Sequence, residues 1–505
     1  MCRTEGARYD CFMGRRNGIL LLGLAIGCKV ESEVLAPPPD RLRAPPLETH
    51  PALPPTVVDM PLLIDLTAAV DLMEQGLPRH LGNVDKRIQV PGKKRAAFAY
   101  GISRSPFEIN VKGDTFQIGA TIRYQGRGWY NPPIGPEVGG SCGTSGKEPR
   151  ARIVISIRPE INREWQLVAQ PKLSYLGPLT KTERDQCEVT FLKIDVTGRV
   201  LDAARGAIRG QLPKLTAKLK TLDVRSEVEK VWNEIQKPIR LADSVWLMLR
   251  PEGVRLGRLS GSREMLGATI GIQARPKIET GAKPTVALVP LPALEPDAEE
   301  TGLNLLTEGR FDYALIGANL TKALGGRTIK VPGGTIEIKE VGAYGIGGGR
   351  LALGVRFGGT SSGQIYFVGT PQYEDSTGRI VVPDLDYDAA TTPLLVKGLA
   401  WLKANEIRDF LRTKATFPSA EAMERLSTLA ATGMNRELVP GVFLSTTLNR
   451  TEIVRLLPRV DALYLQAHAT GNAALHVTDG FFTRLKSADS TGPVAKPVPG
   501  PPSGR

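Results

Sequence analysis

The sequence predicts an α+β fold of two tandem modules, each combining antiparallel β-sheet with long amphipathic helices. VAQPKLSY at Val168–Tyr175 and VGTPQYED at Val368–Asp375 both follow a strand-like run and carry proline at the same place. A second pair, FLKIDVT from Phe191 and VPDLDYD from Val382, leads in each case into a helical segment. Because such matches recur in the same order, they indicate an internal repeat.

Each module follows the same plan of elements. It opens with a strand and a short helix, whose apolar stripes run from Leu66 to Leu77 and from Tyr313 to Leu324. Longer amphipathic helices follow, because apolar residues recur at spacings of three and four. Alternating strands then close each module, with VWLMLRPEGVRL and ATIGIQA in the first and VFLSTTL and LYLQAHA in the second.

An apolar run near the start of the chain is too short to span a membrane. Arg15 and Arg16 precede the run Gly18–Gly27, which has about half of the roughly twenty residues that a bilayer-spanning helix needs. This pattern predicts a signal peptide over residues 1–27. Translation starts at Met1 or at Met13, and both choices keep the two arginines.

Cys28 ends this run after the small or apolar residues Ala25, Ile26 and Gly27. The pattern resembles the lipobox of bacterial lipoproteins, in which the cysteine is acylated, with palmitate for example, and becomes the new N-terminus. Lys29 follows, and the absence of Asp there resembles lipoproteins sent to the outer membrane. We therefore expect lipidation at Cys28 and a location on the periplasmic face of a Gram-negative outer membrane.

Composition divides the mature chain into five parts. Residues 28–59 are rich in proline and predict an extended tether of about 3 Å per residue. Residues 60–285 form the first module and residues 305–480 the second. Residues 286–304 form a connector whose valines and leucines favour packing across both modules. Residues 481–505 are expected to form a disordered tail, because the end of the chain has little to bury.

The charge of the chain restricts its partners. The formal charge is +13, and removing residues 1–27, which hold four arginines and two acidic residues, lowers it to +11. Lysines and arginines are interspersed with acids, and no basic run contains aromatic residues, so no nucleic-acid partner is predicted. Anionic lipid, lipopolysaccharide or a cell-wall polymer fits the predicted location. The oligomeric state is not specified by these features.

After Cys28, the mature chain contains two further cysteines, Cys142 and Cys187. An even pair in an oxidising compartment favours a disulfide. Neither residue has a second cysteine or a histidine at the spacing of a zinc site. The sequence therefore predicts a Cys142–Cys187 disulfide, and neither a metal nor a cofactor is expected.

Several segments resemble a known family. They are PLLIDLTAAVDLMEQGLPRHL from Pro61, YFVGTPQY leading to VPDLDYD, and GLAWLKANEIRDFL from Gly398. With the lipobox, they resemble the bacterial lipoprotein family "domain of unknown function 4403" over nearly all of the mature chain. The doubled module also resembles the tubular lipid-binding superfamily, which includes the bactericidal/permeability-increasing protein. That resemblance implies strongly curved sheets wrapped around the helices, with an apolar lumen for acyl chains.

The resemblance makes the stripes of the long helices candidate ligand-lining surfaces. The candidates in the two modules are Ile208, Leu212, Leu215, Leu395, Leu399 and Leu402. Gly206, Gly210 and Gly398 lie near them and would allow a backbone to approach closely. The alternative is that these stripes simply form core, as the apolar faces of amphipathic helices usually do.

An enzymatic interpretation rests on GTSSG at Gly359–Gly363, which fits the G-x-S-x-G pattern with Ser361 as nucleophile. That motif requires a strand, a sharp turn and then a helix. Here LALGVRF precedes it and QIYFVGTP follows it, and both are strand-like, so we expect a hairpin turn. H-E-x-x-H and C-x-x-C motifs are also absent from the sequence. We therefore expect no enzyme activity.

Two functions remain. The first is an outer-membrane-anchored periplasmic lipoprotein that binds lipid or another apolar ligand, with a carrier role as one form of it. The second is a non-enzymatic structural or adaptor lipoprotein of the envelope, whose solid modules bind anionic polymers or partner proteins. A continuous internal cavity would favour the first, and a filled interior the second.

Overall fold

The computed structural model describes residues 33–40, 53–90, 92–189, 194–298, 302–332, 334–388, 406–414, 416 and 419–489. These residues form a mixed α+β fold that is mostly strand. Their helices are α1 Thr67–Gly76, α2 Thr197–Lys220, α3 Val224–Ile235, α4 Tyr313–Leu324, α5 Glu406–Lys414, α6 Ser419–Met434 and α7 Asp479–Asp489, with a 3-10 turn at Glu183–Asp185. No helix in these ranges has the length and apolar character needed to cross a bilayer.

The strands before residue 281 are β1 Glu33–Leu35, β2 Thr56–Asp65, β3 His80–Gln89, β4 Ala96–Arg104, β5 Glu108–Gly113, β6 Thr115–Tyr130, β7 Val138–Cys142, β8 Arg150–Ile157, β9 Pro159–Ile161, β10 Leu167–Ala169, β11 Lys172–Pro178, β12 Glu188–Val189, β13 Ile194–Asp195, β14 Ile239–Ala242, β15 Val245–Met248, β16 Pro251–Leu256, β17 Ser260–Arg263, β18 Met265–Ala274 and β19 Lys277–Thr280. The strands after that point are β20 Leu294–Pro296, β21 Gly302–Phe311, β22 Thr328–Val331, β23 Gly334–Gly347, β24 Arg350–Gly359, β25 Ser362–Gly369, β26 Gln372–Glu374, β27 Arg379–Val381, β28 Asp386–Tyr387, β29 Arg436–Val439, β30 Val442–Pro458 and β31 Leu463–Val477.

The first half of the chain forms an antiparallel sheet in the order β3, β4, β6, β8, β11. Helix α2 packs against one face of this sheet, near β10 and β11. Tyr124 of β6, Ala151 of β8, Leu176 of β11 and Leu201 of α2 are buried in one apolar cluster. The first part of α2 is therefore held by the sheet through its apolar stripe.

The second half forms a separate antiparallel sheet in the order β22, β23, β24, β25, with helix α4 packed on β23. Its inner side chains, including Ile338, Ile365 and Phe367, are fully buried. Gly317 allows the close approach of α4, because a Cβ there would lie 3.1 Å from the Val341 carbonyl oxygen. Helix and sheet are thus in direct contact in this half.

A third set of strands joins the two halves. Strand β2 pairs along its whole length with β18, and it also pairs with β21 and, in parallel, with β31 from the second half. Helix α3 packs on β29 of the second half, and α6 packs on β14 of the first. The expectation of two tandem modules is not confirmed in this form, because the strands that open and close each half share one sheet. Alternating apolar residues specify a buried face but not the partner strand.

The connector is packed rather than loose. Leu291 and Leu294 are buried in a cluster that contains residues of both halves, as its leucines predicted. The indole N–H of Trp165 donates to the Pro292 carbonyl oxygen at 2.8 Å, and that of Trp232 donates to the Val289 carbonyl oxygen at 2.8 Å. The predicted end of the connector at residue 304 lies inside β21, which begins at residue 302.

Parts of the predicted tether belong to the folded body. Strand β1 pairs in parallel with β25 at the edge of the second sheet, and the next residue, Ala36, is buried in its core. Residues 56–59 lie in β2. An edge strand offers unpaired N–H and C=O groups, which explains how an extended segment docks there. The expectation of a continuous free stem over residues 28–59 is therefore wrong for these segments.

The predicted tail also begins later than residue 481. Residues 481–489 belong to α7, and Phe481 packs against the cluster that joins the halves. The guanidinium of Arg484 donates to the Glu227 carboxylate at 2.7 Å, and Lys230 pairs with the same carboxylate at 2.6 Å. Burial alone would raise the pKa of Glu227, but these two cations hold that pKa below its usual value. A helix-length segment with two adjacent phenylalanines had enough apolar surface to dock.

We expect Arg484→Met to lower the free energy of unfolding by about 2–3 kcal/mol, because it removes a charged hydrogen bond from the buried Glu227 carboxylate. Urea unfolding measures this change. Arg425→Met, at an exposed position of α6, is the matched control and should change stability by less than about 0.5 kcal/mol. Equal effects of the two substitutions would contradict a docked α7.

Candidate apolar ligand site

A cavity of about 450 Å³ lies between the first-half sheet and the start of α2. Its size is within the range of about 300–1,000 Å³ that is usual for small-molecule sites. The walls are mostly apolar and come from β4, β6, β7, the Cys187–Val189 segment and α2. The lining side chains that define it are Phe98, Tyr100, Ile102, Ile122, Tyr124, Val189, Val196, Val200, Leu201 and Ala204.

The helical wall is formed by the beginning of the α2 stripe. Val196, Val200 and Ala204 are spaced by four residues and therefore lie on one helix face. The Thr197 amide donates to the Asp195 carboxylate at 2.8 Å, which satisfies one of the free N–H groups at the start of the helix. Hydrogen bonds from Thr197 also lower the pKa of Asp195. The small side chain of Ala204 leaves space between the helix and the sheet.

A disulfide closes one end of this wall. Cys142 of β7 and Cys187 are bonded to each other, as the sequence predicted, and both line the cavity. The Cys187 amide donates to the Thr197 hydroxyl at 2.6 Å, and the Val196 amide donates to the Cys187 carbonyl oxygen at 2.9 Å. The disulfide thus ties the segment that precedes α2 to the edge of the sheet.

A second cavity of about 320 Å³ adjoins the first and shares Gly128, Gly140 and Val189 with it. A Cβ at Gly140 would lie 2.7 Å from a methyl carbon of Val189, so a side chain there would push the two walls apart. Trp129 and Tyr130 line the second cavity. The two cavities together extend the apolar surface along the sheet.

Ion pairs lie around the cavity mouth. Arg127 lines the cavity, and its guanidinium lies 3.0 Å from the Asp85 carboxylate. Arg87 pairs with Glu137 at 2.5 Å and stacks over the Trp129 ring at 4.2 Å from the centroid. These cations are therefore engaged by protein groups at the rim.

The buried Asp185 carboxylate holds the segment that leads to Cys187, one of the lining residues. Asp185 is fully buried and accepts hydrogen bonds from the Arg150 guanidinium at 2.8 Å and from the Thr180 hydroxyl at 2.6 Å. Burial alone would raise the pKa of Asp185, but the hydrogen bonds from Arg150 and Thr180 hold it below its usual value. The carboxylate therefore stays charged at neutral pH and fixes the segment that leads to Cys187.

Comparison with known proteins establishes the family. Residues 54–477 match the family described as "Domain of unknown function (DUF4403)". The chain belongs to this family. Among solved structures, this DUF4403 chain is similar to one titled "Crystal structure of lipopolysaccharide binding protein", with a TM-score of 0.24 and 10% sequence identity over 83% of this chain and 99% of that chain. No curated protein matches it.

The predicted lining residues of this DUF4403 protein fall beside the cavity rather than in it. Ile208 is half-buried and packs against the cluster beneath α2, while Leu212 and Leu215 are half-buried further along the helix. Neither they nor Ile208 contribute to the cavity wall. The three candidates of the second half, Leu395, Leu399 and Leu402, lie outside the described residues.

The sequence-based reasoning missed the sheet side of the cavity. Phe98, Tyr100 and Ile102 alternate along β4 and therefore share one face. That alternation was the available signal, but it does not reveal which helix lies opposite. The expectation of a close backbone approach at Gly206 and Gly210 is wrong for the described residues. A Cβ at either position would meet nothing within 4 Å. The described backbone therefore does not approach the helix at these two positions, and Gly398 lies outside the described residues.

The second half of the DUF4403 fold differs from the first. Helix α5 buries Ile407 and Leu411 fully in the same cluster as the inner face of the second sheet. The described part of α5 is therefore packed into the core of the second half. The expectation of internal space has a counterpart in the first half, where a cavity lies between the sheet and α2.

Ser361 lies in a turn, as its flanking residues predicted. It falls between β24 and β25, which pair antiparallel from Phe357 and Gly363 onward. Strands on both sides leave no helix after the serine, so the G-x-S-x-G match does not form a nucleophile elbow. The described residues also contain no group of three or more His, Cys, Asp or Glu side chains placed to hold a metal ion.

We expect Asp185→Asn to lower the free energy of unfolding at pH 7 by about 2–4 kcal/mol, because it weakens a buried, charged hydrogen-bond network. The folded-state pKa of Asp185 is depressed, so its contribution is present above the unfolded pKa near 4 and is lost as pH falls through the folded pKa. Urea unfolding at pH 7 and near pH 3 measures the difference from the wild type, which should shrink at the lower pH.

Asp243→Asn is the control for this series, because the Asp243 side chain is 96% exposed. It should change stability by less than about 0.5 kcal/mol at either pH. A difference for Asp185→Asn that stays constant down to pH 3 would show that the carboxylate charge is not its source.

Proposed function

We propose that this DUF4403 protein binds a lipid or another largely apolar ligand in the cavity between the first-half sheet and α2. The observation that carries the proposal is the cavity itself, which has a volume of about 450 Å³ and mostly apolar walls. Empty apolar space costs a protein stability. A ligand that enters it recovers part of that cost and is bound for the same reason.

The proposal includes a tubular lipid-binding architecture of two related halves. Its support is the element order of a strand, a short helix, a sheet, two helices and closing strands, which occurs once up to β18 and once from β21 to β31. The apolar cluster between α2 and strands β6, β8 and β11 supports a sheet that bends around the helix. The shared strands around β2 would then form the join between two halves of a tube.

The proposal also places the protein on the periplasmic face of the outer membrane, anchored through an acylated Cys28. The positions of Cys28 and β1 support a close attachment, because β1 begins at Glu33. Five residues span at most about 17 Å when fully extended. The edge of the second sheet would therefore lie near the lipid surface, rather than at the end of a long stem.

A structural role remains the second candidate, and the filled core of the second half favours it for that half. Ile338, Ile365, Phe367 and Leu411 are essentially inaccessible to solvent. A closely packed core contributes rigidity and surface rather than a binding site. We therefore assign ligand binding to the first half, and the scaffold function follows if that half carries no ligand.

We expect Ala204→Trp to abolish most binding of apolar ligand, because the indole would occupy the cavity from the helix side. Native mass spectrometry of the purified protein measures the fraction with lipid adducts, and titration with the fluorescent hydrocarbon diphenylhexatriene measures affinity. Both should fall by at least about tenfold, which corresponds to about 1.4 kcal/mol.

Ala203→Trp is the matched control, since Ala203 is the neighbouring residue and is exposed. It should leave adducts and dye affinity unchanged, and circular dichroism should show that both variants are folded. Bare wild-type protein without dye binding, or equal dye binding by the two variants, would contradict a site in this cavity and favour the scaffold function.

We expect Cys28→Ser to abolish incorporation of radiolabelled palmitate in a Gram-negative host and to release the protein from the outer-membrane fraction, because the thiol is the predicted acceptor of the acyl groups. Cys11→Ser is the control, since Cys11 precedes the apolar run and should be removed with the signal peptide. Undiminished labelling of Cys28→Ser would refute the proposed anchor.

A further inference from the structure

Tyr124 places a buried polar atom in a wall that is mostly apolar. It lies on β6, lines the cavity and is 7% exposed. Its hydroxyl is buried and has no hydrogen-bond partner among the described residues. Buried hydroxyl groups in proteins are nearly always paired, because an unpaired one loses its bonds to water without replacement. The Tyr124 hydroxyl therefore needs a hydrogen-bond partner that the described residues do not supply.

The side chains that share a cluster with Tyr124 are apolar. Its cluster contains Leu176, Leu201 and the disulfide of Cys142 and Cys187. None of these side chains is a strong hydrogen-bond acceptor. Because Tyr124 also borders the cavity, an occupant of the cavity is the partner that the described geometry allows.

Nearby charges decide what kind of partner suits the hydroxyl. Burial, with the carboxylates of Asp195 and Asp185, raises the pKa of Tyr124 to about 12. The hydroxyl is therefore protonated at neutral pH and able to donate. The same carboxylates disfavour a second negative charge beside it. The charge of Asp185 is offset by Arg150, whereas Asp195 is held by neutral hydrogen bonds from Thr197.

We infer that the Tyr124 hydroxyl donates a hydrogen bond to an uncharged carbonyl oxygen of the ligand, as found in an ester- or amide-linked acyl chain. The inference rests on the proposed function, because it assigns the ligand class of the same cavity. A free carboxylate or a phosphate group is disfavoured at this position. The acyl chain would lie along the apolar walls, and the carbonyl group would meet the buried Tyr124 hydroxyl, which lacks a partner among the described residues.

The test uses the purified protein with diphenylhexatriene, a hydrocarbon without hydrogen-bonding groups, as the reporter of cavity occupancy. Methyl dodecanoate, N-methyldodecanamide and dodecanoate displace the dye and present an ester, an amide and a carboxylate on closely matched chains. Tyr124→Phe should lower the affinities for the ester and for the amide by about three- to tenfold. It should leave the affinities for the dye and for dodecanoate unchanged.

Tyr100→Phe is the matched control, because Tyr100 lines the same cavity but is 39% exposed, and it should change none of the three affinities. A selective loss for one of the two carbonyl probes identifies an ester or an amide as the natural linkage. Unchanged displacement by both carbonyl probes in Tyr124→Phe, with normal dye binding, would overturn the inference and leave the cavity function intact.

Two further outcomes separate the inference from the proposed function. Failure of the wild type to bind the dye would remove the cavity function and the inference that rests on it. In the ligand-free protein, Tyr124→Phe should keep or raise the melting temperature, because it removes an unpaired polar group. A fall of several degrees would show that the hydroxyl has a protein partner and would overturn the inference.

Discussion

Pairing of β2 with strands from both halves is the constraint on which the rest of this structure depends. Strand β2 pairs with β18 over ten residues and then continues the sheet to β21 and β31. This arrangement satisfies the backbone groups of the strands that open and close each half. It also places α3 on the second half and α6 on the first. The two halves therefore share one apolar cluster around β2, while each sheet-and-helix unit keeps a cluster of its own.

The two halves have a similar order of elements, but their helices pack on the sheets in different ways. In the second half, α4 approaches the sheet at Gly317, and α5 fills the core with Ile407 and Leu411. In the first half, α2 faces the sheet with Val200, Leu201 and Ala204, and glycines occur on β6 and β7. The small residues in these walls, Ala204 and the glycines of β6 and β7, leave volume between the helix and the sheet.

Most of the polar groups near the cavity are paired with other protein groups and stabilise the walls. Asp185 and Arg150 hold the segment before α2, the disulfide ties that segment to β7, and ion pairs engage the arginines at the rim. Tyr124 differs from them, since its hydroxyl is buried without a described partner. A mostly apolar site with few polar groups selects a ligand by shape and by the position of those groups. This combination suits a neutral acyl compound better than a charged lipid headgroup.

The sequence by itself determined the α+β class, the Cys142–Cys187 disulfide and the turn at Ser361, because periodicity, cysteine number and turn residues are local properties. The tertiary structure decided which strands share a sheet, where β1 and α7 dock, and which part of the α2 stripe faces a cavity. A stripe or an alternating strand specifies the buried face, but not the surface that covers it. The cavity volume depends on the distance between two such surfaces, which is why Val200 and Ala204 line it while Leu212 and Leu215 of the same helix do not.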